Sequence, residues 1–386
     1  MVSSYGNERH IADRRKTKGK FKMKTFKKLF DKALDFNNMK QSIIEGSHHG
    51  KMKRQEVREV IENIDEEVSK LQYMMKYHIT TVQLYEQFEI VEGYKKKHRL
   101  IVKPKFKYDQ MIQYVLLSQF KPIVMNSKYY YAHGSVEDGG PLQTMKAISK
   151  WIKNDKSGTR YCAQFDVKSC YPTVDKDILK SMLKAKIKDK DFLIESFKII
   201  DAMPQGLAPG APISVYLIHF MFQPLDNWIL QQDGVVHYVR HMDDIIVFGS
   251  NKKKLHQFER NLCKKMKDDY NMEMHYNHQV FPIQWTDKNG KKHGRPLNTC
   301  GYLFYRDRTI LRKNHIVKAG RKAKKLNKKD KIDHYSAGQM MSELGLFRHC
   351  DVHNVFIQRI KPYVNVKKLK HIISKHDKKI AKNNIS

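Results

Sequence analysis

An adjacent pair of carboxylates, Asp243 and Asp244, interrupts a long stretch of strand-forming residues. Residues 235–239 precede the pair and residues 245–248 follow it. We expect a strand, a tight turn at the acidic pair and a returning strand, although the Gly or Asn typical of such turns is missing. Like charges this close repel each other, and a divalent cation between them relieves the repulsion. An exposed turn is the alternative, because acidic pairs are common in loops, but the flanking apolar strands favour a metal-binding site.

A third acid, Asp166, ends another apolar stretch over residues 161–167, which predicts a buried strand. Phosphoryl transfer depends on two metal ions about 4 Å apart that bridge nucleophile, phosphate and leaving group. One carboxylate from each of two neighbouring strands is the minimum scaffold for such ions. Asp166, Asp243 and Asp244 are therefore candidate catalytic and metal-binding residues.

The composition predicts a partner of opposite charge. The chain has 386 residues, with 74 Lys and Arg against 40 Asp and Glu and a formal net charge of +34. Such a field attracts polyanions, so we expect salt-dependent binding to nucleic acid, with an anionic membrane surface as the alternative. No apolar run approaches the roughly 20 residues that span a bilayer, and the N-terminus lacks a signal-peptide core. We therefore expect a soluble, cytoplasmic protein with no membrane partner.

The spacing of apolar residues predicts both helices and strands around these acids. Residues 88–91 and 99–102 predict a basic β-hairpin. The glycine-rich segment at residues 132–141 is either a loop or a substrate contact. Apolar residues at helical spacing predict helices over residues 26–36, 53–76, 109–119, 142–153 and 175–186, and a basic helical end piece over residues 336–376.

Further motifs surround the acids in a consistent order. Tyr171 stands five residues after Asp166, and His241-Met242 precedes the acidic pair. The other segments are the basic residues 97–104, the glycine-rich segment, residues 206–214 and Cys300-Gly301-Tyr302. Together, over roughly residues 85–305, these motifs resemble those of reverse transcriptases. The chain is most similar to bacterial and prophage enzymes of that family, including the unclassified and phage-defence-associated ones.

The resemblance implies an α+β right-hand polymerase with fingers, palm and thumb, in which the palm is an antiparallel sheet with helices on one face. It predicts four regions in the chain. These are a basic arm (residues 1–25), N-terminal helices and fingers (26–160), a palm with an interleaved fingers segment and primer grip (161–305), and a basic helical thumb (306–386).

The resemblance also implies residue roles. Asp166, Asp243 and Asp244 would be catalytic and would bind metal with the Val167 carbonyl, the cofactor being two Mg²⁺ ions or, alternatively, Mn²⁺. Tyr171 would be a steric gate that excludes ribonucleotides. Nucleotide binding is predicted for Lys97, Arg99, Lys103, Tyr171, Gly210 and Ser214, and contact with primer or template for His241, Met242, Cys300, Gly301 and Tyr302.

Three positions depart from the family pattern. His241 replaces the usual tyrosine and adds a titratable ring near the primer. Ala208-Pro209 replaces the usual Pro-Gln and removes an amide. His278 lies nearest to the motif lysine, so it is either the acid for pyrophosphate or an ordinary surface histidine.

The predicted function is RNA-directed DNA synthesis from dNTPs, with an RNA template and a DNA primer or cDNA product as partners. A dedicated noncoding RNA and a role in antiviral defence are the expected biological setting. A homo-oligomer or an accessory protein is left open. The alternatives are a mobile-element or diversity-generating reverse transcriptase and a non-catalytic RNA-binding protein on the same fold. Val215 after Ser214 departs from the glutamine usual in diversity-generating enzymes.

Overall fold

This computed structural model describes residues 25–48, 50–92, 97–137 and 139–383, with the side chains of residues 92, 97 and 379–383 excepted. The predicted basic arm, apart from residue 25, lies outside the described residues. The chain forms two compact units. The first comprises Met1–Gly140, Ala163–Val247 and Lys253–Gln279, and the second comprises Pro141–Cys162, Phe248–Lys252 and Val280–Ser386.

The described part of the first unit begins with short helices. They are α1 (Leu29–Ala33), α2 (Phe36–Ser47), α3 (Gln55–Glu62) and α4 (Ile64–Lys76). The continuous helix predicted over residues 53–76 is wrong, because the helix breaks at Asn63, where φ is −112° and ψ is 32°. The Asn63 amide donates to the Glu59 carbonyl at 3.0 Å. Asparagine competes in this way with the helix's own hydrogen bonds.

The predicted basic hairpin is confirmed as β1 (Gln87–Glu92) and β2 (Lys97–Val102). The strands are antiparallel, with Phe88 opposite Ile101 and Val91 opposite His98. The turn at residues 93–96 lies outside the described residues. Pro104 follows β2, and its missing N–H is incompatible with a continued ladder.

A five-stranded sheet carries the candidate acids. In chain order the next elements are α5 (Met111–Ser127), β3 (Ala132–His133), α6 (Pro141–Asn154), β4 (Tyr161–Asp166), α7 (Lys176–Lys186), α8 (Lys190–Asp201), α9 (Ser214–Leu230), β5 (His237–His241), β6 (Asp244–Gly249), α10 (Lys252–Tyr270) and β7 (Gln279–Pro282). The strand order is β3-β5-β6-β4-β7, and β3 pairs with β5 in parallel. The predicted strand, acidic turn and returning strand are thus confirmed, and β4, which ends at Asp166, neighbours β6.

Aromatic packing joins this sheet to its helices within the first unit. Phe165 on β4 meets Phe258 on α10 edge to face, with ring centroids 5.7 Å apart. Trp228 on α9 also stacks with Phe258, with ring centroids 6.1 Å apart. Edge-to-face and stacked arrangements at these separations are favourable. The strand that ends at Asp166 is therefore anchored on a buried aromatic core.

The second unit contains short strands and basic helices. They are β8 (Trp285–Thr286), β9 (Lys292–His293), β10 (Leu297–Thr299), β11 (Tyr302–Phe304), β12 (Thr309–Leu311), α11 (Lys313–Asn327), α12 (His334–Phe347), α13 (His353–Arg359) and α14 (Val366–Asn383). The helical end piece predicted over residues 336–376 is confirmed as helical, and it consists of three separate helices, α12, α13 and α14. Asp351 interrupts it, because its N–H donates to the Thr309 carbonyl at 2.6 Å and its carboxylate accepts from the Thr309 N–H at 2.8 Å.

Across the described residues, no helix has both the length and the apolar character required to cross a bilayer.

A buried ion pair links α9 to β5. Asp226 and Arg240 are both fully buried. The Arg240 guanidinium donates from Nε to Oδ1 and from Nη2 to Oδ2 of Asp226, both at 2.7 Å. The Tyr238 hydroxyl donates to Oδ1 of the same carboxylate, also at 2.7 Å. These charge-assisted bonds compensate for the lost hydration of both ions.

Removing one partner of this pair tests its structural role. We expect Asp226→Ala to lower the free energy of unfolding by about 3–5 kcal/mol, because Arg240 is left buried without a counter-ion. Asp233→Ala is the matched control, since its ion pair with Lys254 at 2.9 Å is solvent-exposed and such pairs contribute about 1 kcal/mol or less. Urea denaturation of both variants gives the comparison. Equal losses in the two variants would contradict the assignment.

Candidate active site

The connection between β5 and β6 consists of Met242 and Asp243. Met242 has a φ of 55°, in the left-handed region that residues with side chains rarely adopt. Its N–H donates to the His133 carbonyl at 2.8 Å, and its carbonyl accepts from Arg240 Nη1 at 3.0 Å. Both main-chain groups of this strained residue therefore have partners, and they hold a tight turn that has neither Gly nor Asn.

The glycine-rich segment packs against this turn. Gly134 has a φ of 119°, and a Cβ at this position would collide with the Met242 side chain. Its carbonyl lies 2.9 Å from Nε2 of His219, and its N–H donates to the Gly139 carbonyl. The segment was predicted to be a loop or a substrate contact. In the structure, Ala132–His133 form β3, and the described residues between β3 and α6 form a loop that packs against the acidic turn. Contact with a substrate stays a prediction.

The histidines around the turn are neutral at pH 7. Burial lowers the pKa of His219 to about 3 and that of His133 to about 4. Burial also lowers the pKa of His241, although the Asp243 carboxylate acts in the opposite direction. Nδ1 of His219 is buried with no hydrogen-bond partner in the described part of the chain. This suits a neutral ring that donates through Nε2 to Gly134.

Asp166 stands at the end of β4, where the backbone is held from one side. The Asp166 carbonyl accepts from the His275 N–H at 2.7 Å, and the Lys168 N–H donates to the Glu273 carbonyl at 2.9 Å. Val167 lies between these two bonds in an isolated antiparallel bridge. In this pattern the central residue's own carbonyl takes no part in the bridge. The geometry is therefore compatible with the predicted role of the Val167 carbonyl as a metal ligand.

Asp166 and Asp243 converge on Cys170, which is buried. Burial raises the pKa of the Cys170 thiol, and the negative charges of Asp243 and Asp166 raise it further. Burial raises the pKa of Tyr171, and the neighbouring Cys170 and Asp243 raise it further, while Arg99 acts in the opposite direction. Two acids far apart in sequence thus act on one place, which lies next to Tyr171.

Residues 206–214, which lie between the two acidic motifs in sequence, contact the turn at Tyr171. The Leu207 N–H donates to the Tyr171 carbonyl at 2.9 Å. Gly206 has a φ of 46°, and a Cβ there would lie 2.5 Å from the same carbonyl oxygen. Only glycine tolerates both conditions. Tyr171, half-buried, is thereby kept in place by main-chain contacts.

The same segment also contacts β2. The Val102 N–H donates to the Pro209 carbonyl at 2.9 Å. Gly210 has a φ of 103°, and a Cβ there would collide with the Val102 carbonyl. Ser214 is buried, and its hydroxyl faces the Met203 sulfur at 3.5 Å. Ser214 is thus part of the packed interior, whereas Gly210 is exposed and lies against the backbone of β2.

The predicted triphosphate ligands lie on or just after β2. Arg99 and Lys103 are exposed, and the charge of Arg99 reaches Tyr171. The side chain of Lys97 lies outside the described residues. Arg99 is therefore the cation that the structure connects most directly with the convergence of Asp166 and Asp243.

The predicted primer-grip residues belong to the second unit. Cys300 and Gly301 have φ values of 49° and 85° and join β10 to β11 in a two-residue hairpin with left-handed geometry at both positions. Tyr302 is buried, and its hydroxyl donates to the Leu346 carbonyl at 3.2 Å. The motif is thus a tight turn anchored to α12.

The predicted metal site has oxygen donors from two strands. Within the described ranges, no group of three or more His, Cys, Asp or Glu side chains is placed to hold a metal ion. Asp166 and Asp243 converge, whereas Asp244 does not complete such a group with them. Carboxylate and carbonyl oxygens are the donors that Mg²⁺ prefers, and the ion retains several waters. The two carboxylates and the Val167 carbonyl therefore fit Mg²⁺ or Mn²⁺.

Sequence reasoning missed the residues behind the turn. Arg240, Asp226 and His219 bind each other or the loops that hold Met242. The available signal was a charged residue at a buried position of a predicted strand, together with an acid in an apolar helix. Burial of charges needs a partner, but the sequence alone does not identify which one.

Part of the chain matches a known protein family. The model of the family "Reverse transcriptase (RNA-dependent DNA polymerase)" matches residues 90–279. The matched range contains Asp166, Asp243, Tyr171 and Arg99, and it ends before Cys300. No curated protein sequence matches the chain.

Among solved structures, the chain is similar to fungal telomerases. Apo telomerase from Candida tropicalis has 13% identity and a TM-score of 0.47, covering 73% of this chain and 57% of that one. A form truncated from the C-terminal domain has 14% identity and a TM-score of 0.40, covering 63% and 57%. Telomerase from Candida albicans in complex with a TWJ fragment of telomeric RNA has 12% identity and a TM-score of 0.43, covering 77% and 61%. The chain thus spans 57–61% of the length of these telomerase chains.

The buried histidine behind the turn makes a prediction about pH. The pKa of His219 is about 3 in the folded state and about 6.5 when unfolded. Its contribution to stability is therefore present above pH 6.5 and lost as the pH falls toward 3. Between pH 7 and pH 5 we expect the wild type to lose about 2 kcal/mol more stability than His219→Gln. Urea denaturation at the two pH values measures this difference. His353→Gln, which changes an exposed histidine, should behave as wild type; a His219→Gln variant with the wild-type slope would refute the assignment.

Proposed function

Residues 90–279 form a reverse transcriptase domain, and we therefore propose that the protein is an RNA-directed DNA polymerase that copies RNA into DNA from dNTPs. The family consists of RNA-directed DNA polymerases, which are nucleotidyltransferases. The observation that carries the proposal is the convergence of Asp166 and Asp243 beside Tyr171, inside the matched range.

The acids provide the site for metal. Asp166 and Asp243 would hold two Mg²⁺ ions, with the Val167 carbonyl contributing a further oxygen. When bound, the two ions activate the primer hydroxyl and neutralise the charge that develops on the transferred phosphate. The protein's part is to keep the two carboxylates in position, which the bonds to Met242 and Asp166 accomplish.

The nucleotide would lie between β2 and the Tyr171 turn. Arg99, Lys97 and Lys103 would bind the triphosphate, because guanidinium and ammonium groups neutralise phosphate oxygens. Tyr171 would abut the sugar at its 2′ position. Burial and neighbouring negative charge raise the pKa of its phenol, so it remains protonated and acts by its bulk. Gly210, which is exposed, and Ser214, which is buried, would position the nucleotide.

Contact with the primer or template is proposed for residues of two tight turns, one in each unit. His241 and Met242 precede the catalytic acid, and Cys300, Gly301 and Tyr302 form the second turn. Because burial lowers the pKa of His241, this residue presents a neutral ring at pH 7. It therefore replaces the usual tyrosine without adding a positive charge near the primer end.

The biological setting belongs to the same proposal. The net charge of +34 suits a protein that retains a structured RNA, so we infer a dedicated noncoding RNA as template. The inferred role in antiviral defence rests on the resemblance of the motifs to those of phage-defence-associated reverse transcriptases. A mobile-element or diversity-generating role is the alternative. Sequencing the RNA and cDNA that copurify with the protein decides between them. A copied neighbouring repeat would support the alternative, and the absence of any enriched RNA would remove the support for a dedicated template.

Substituting the convergent acids tests the chemistry. We expect Asp166→Ala and Asp243→Ala to reduce primer extension on an RNA template with Mg²⁺ and dNTPs to below about 1% of wild type, since each removes a carboxylate shared by the metal ions. Asp268→Ala, which removes an exposed acid of α10, is the control and should remain active. Undiminished extension by Asp243→Ala would sink the proposed site and favour a non-catalytic RNA-binding protein.

Substituting the proposed gate tests sugar selection. Tyr171→Ala should raise the use of ribonucleotides relative to deoxyribonucleotides by at least about tenfold, because the ring that would meet the 2′-hydroxyl is gone. Tyr171→Phe keeps the bulk and should keep the selectivity. The measurement is kcat/KM for the two kinds of nucleotide on one template. An unchanged ratio in the alanine variant would mean that another residue selects the sugar.

A further inference from the structure

A small hairpin of the second unit, residues 285–293, presents an exposed tryptophan. We call it the Trp285 hairpin; it consists of β8, β9 and the turn between them. Trp285 is 47% exposed. The chain has three tryptophans, of which Trp151 is buried and Trp228 is half-buried in the aromatic core of the first unit. Trp285 is therefore the indole most available to a partner.

The indole is held in one orientation before any partner arrives. Trp285 lies opposite His293 across the strands, and their rings stack with centroids 4.7 Å apart and planes at 23°. Nε2 of His293 lies 2.7 Å from Oδ2 of Asp287. Oδ1 of Asp287 accepts from the N–H groups of Asn289 and Lys291, both at 2.9 Å. One face of the indole is thus covered by a ring that is itself fixed by the turn, and ordering it further costs little entropy.

The hairpin is also strongly basic. Residues 286–295 include Lys288, Lys291, Lys292 and Arg295, against one acid, Asp287. None of the ion pairs found in the described residues includes any of these three lysines. Asp287 is already committed to His293, whose hydrogen bond lowers the Asp287 pKa. The positive charge around the indole is therefore available to an anionic partner.

We propose that the Trp285 hairpin binds an unpaired stretch of nucleic acid, with a base stacked on Trp285 and the adjacent phosphates neutralised by the lysines. Base stacking on an aromatic ring combined with a basic surface is how proteins hold single strands regardless of sequence. A duplex does not offer its base faces to an indole. The inference builds on the proposed function, since a polymerase handles single-stranded template, but it rests on residues distant in sequence from the catalytic acids.

A purely structural role for Trp285 makes a different prediction. Cross-strand aromatic pairs stabilise hairpins, and a pair that served only this purpose would leave nucleic-acid binding unchanged when substituted. The two roles therefore separate in a binding measurement on folded protein.

The test uses the full chain in an Asp243→Ala background without dNTPs, so that catalysis plays no part. Oligouridine RNA, oligothymidine DNA and an RNA duplex are added while tryptophan emission is recorded. We expect both single strands to quench the emission, the duplex to quench it weakly, and the difference between RNA and DNA to identify the preferred strand. Trp285→Ala should abolish this quenching and weaken single-strand binding by anisotropy about five- to 100-fold.

Matched variants make the result specific. Thr286→Ala changes the neighbouring exposed residue of the same strand and should bind as wild type, and Trp285→Phe should restore most of the affinity. Replacing Lys288, Lys291 and Lys292 together by Gln should reduce the slope of log affinity against log salt by about 2, because roughly 0.7 counterion is released per single-strand phosphate contact. Circular dichroism confirms that each variant is folded.

The outcomes distinguish this inference from the proposed polymerase activity. One outcome is that Trp285 binds single strands but the protein with Asp166 and Asp243 intact does not extend a primer. That result would uphold this inference and remove the proposed function. Primer extension with unaltered single-strand binding by a folded Trp285→Ala variant would uphold the function and overturn this inference. Equal quenching by duplex and single strands would also overturn it, since stacking on an unpaired base would then not be the mode of contact.

Discussion

The active site depends on a buried ion pair that takes no part in the chemistry. The Asp226 carboxylate satisfies two nitrogens of the Arg240 guanidinium, and the third nitrogen holds the carbonyl of Met242. The same arginine therefore links helix α9, strand β5 and the turn that presents Asp243. Because a guanidinium is planar and its donors are fixed, the direction of the turn follows from the position of the helix.

The sequence predicted the parts of this arrangement that depend on local patterns. Apolar runs on either side of the acidic pair were sufficient for β5 and β6, and the end of an apolar run located Asp166. The breaks at Asn63 and Asp351 were missed because each depends on a side chain that competes with the helix or on a distant strand. The roles of Arg240 and His219 could not be read from spacing, since both are defined by partners on other elements.

The sign of the charge differs between the whole chain and the candidate active site. Over the whole chain the charge is strongly positive, which draws polyanions toward the surface. Locally, Asp166 and Asp243 create a negative point beside Tyr171. The neighbouring histidines do not neutralise it, because burial lowers the pKa values of His133 and His219. In the proposed function, this contrast would let a basic protein concentrate divalent cations at one position while the surrounding surface binds phosphates.

Met242 restricts the conformational freedom of the acidic turn. A residue with a side chain in the left-handed region has few other conformations within reach, whereas glycine at the same position would move freely. Its main chain is bonded on both sides, and its side chain fills the space that Gly134 leaves open. The turn is therefore rigid. The conformational strain at Met242 accompanies a restricted position of the neighbouring Asp243 carboxylate.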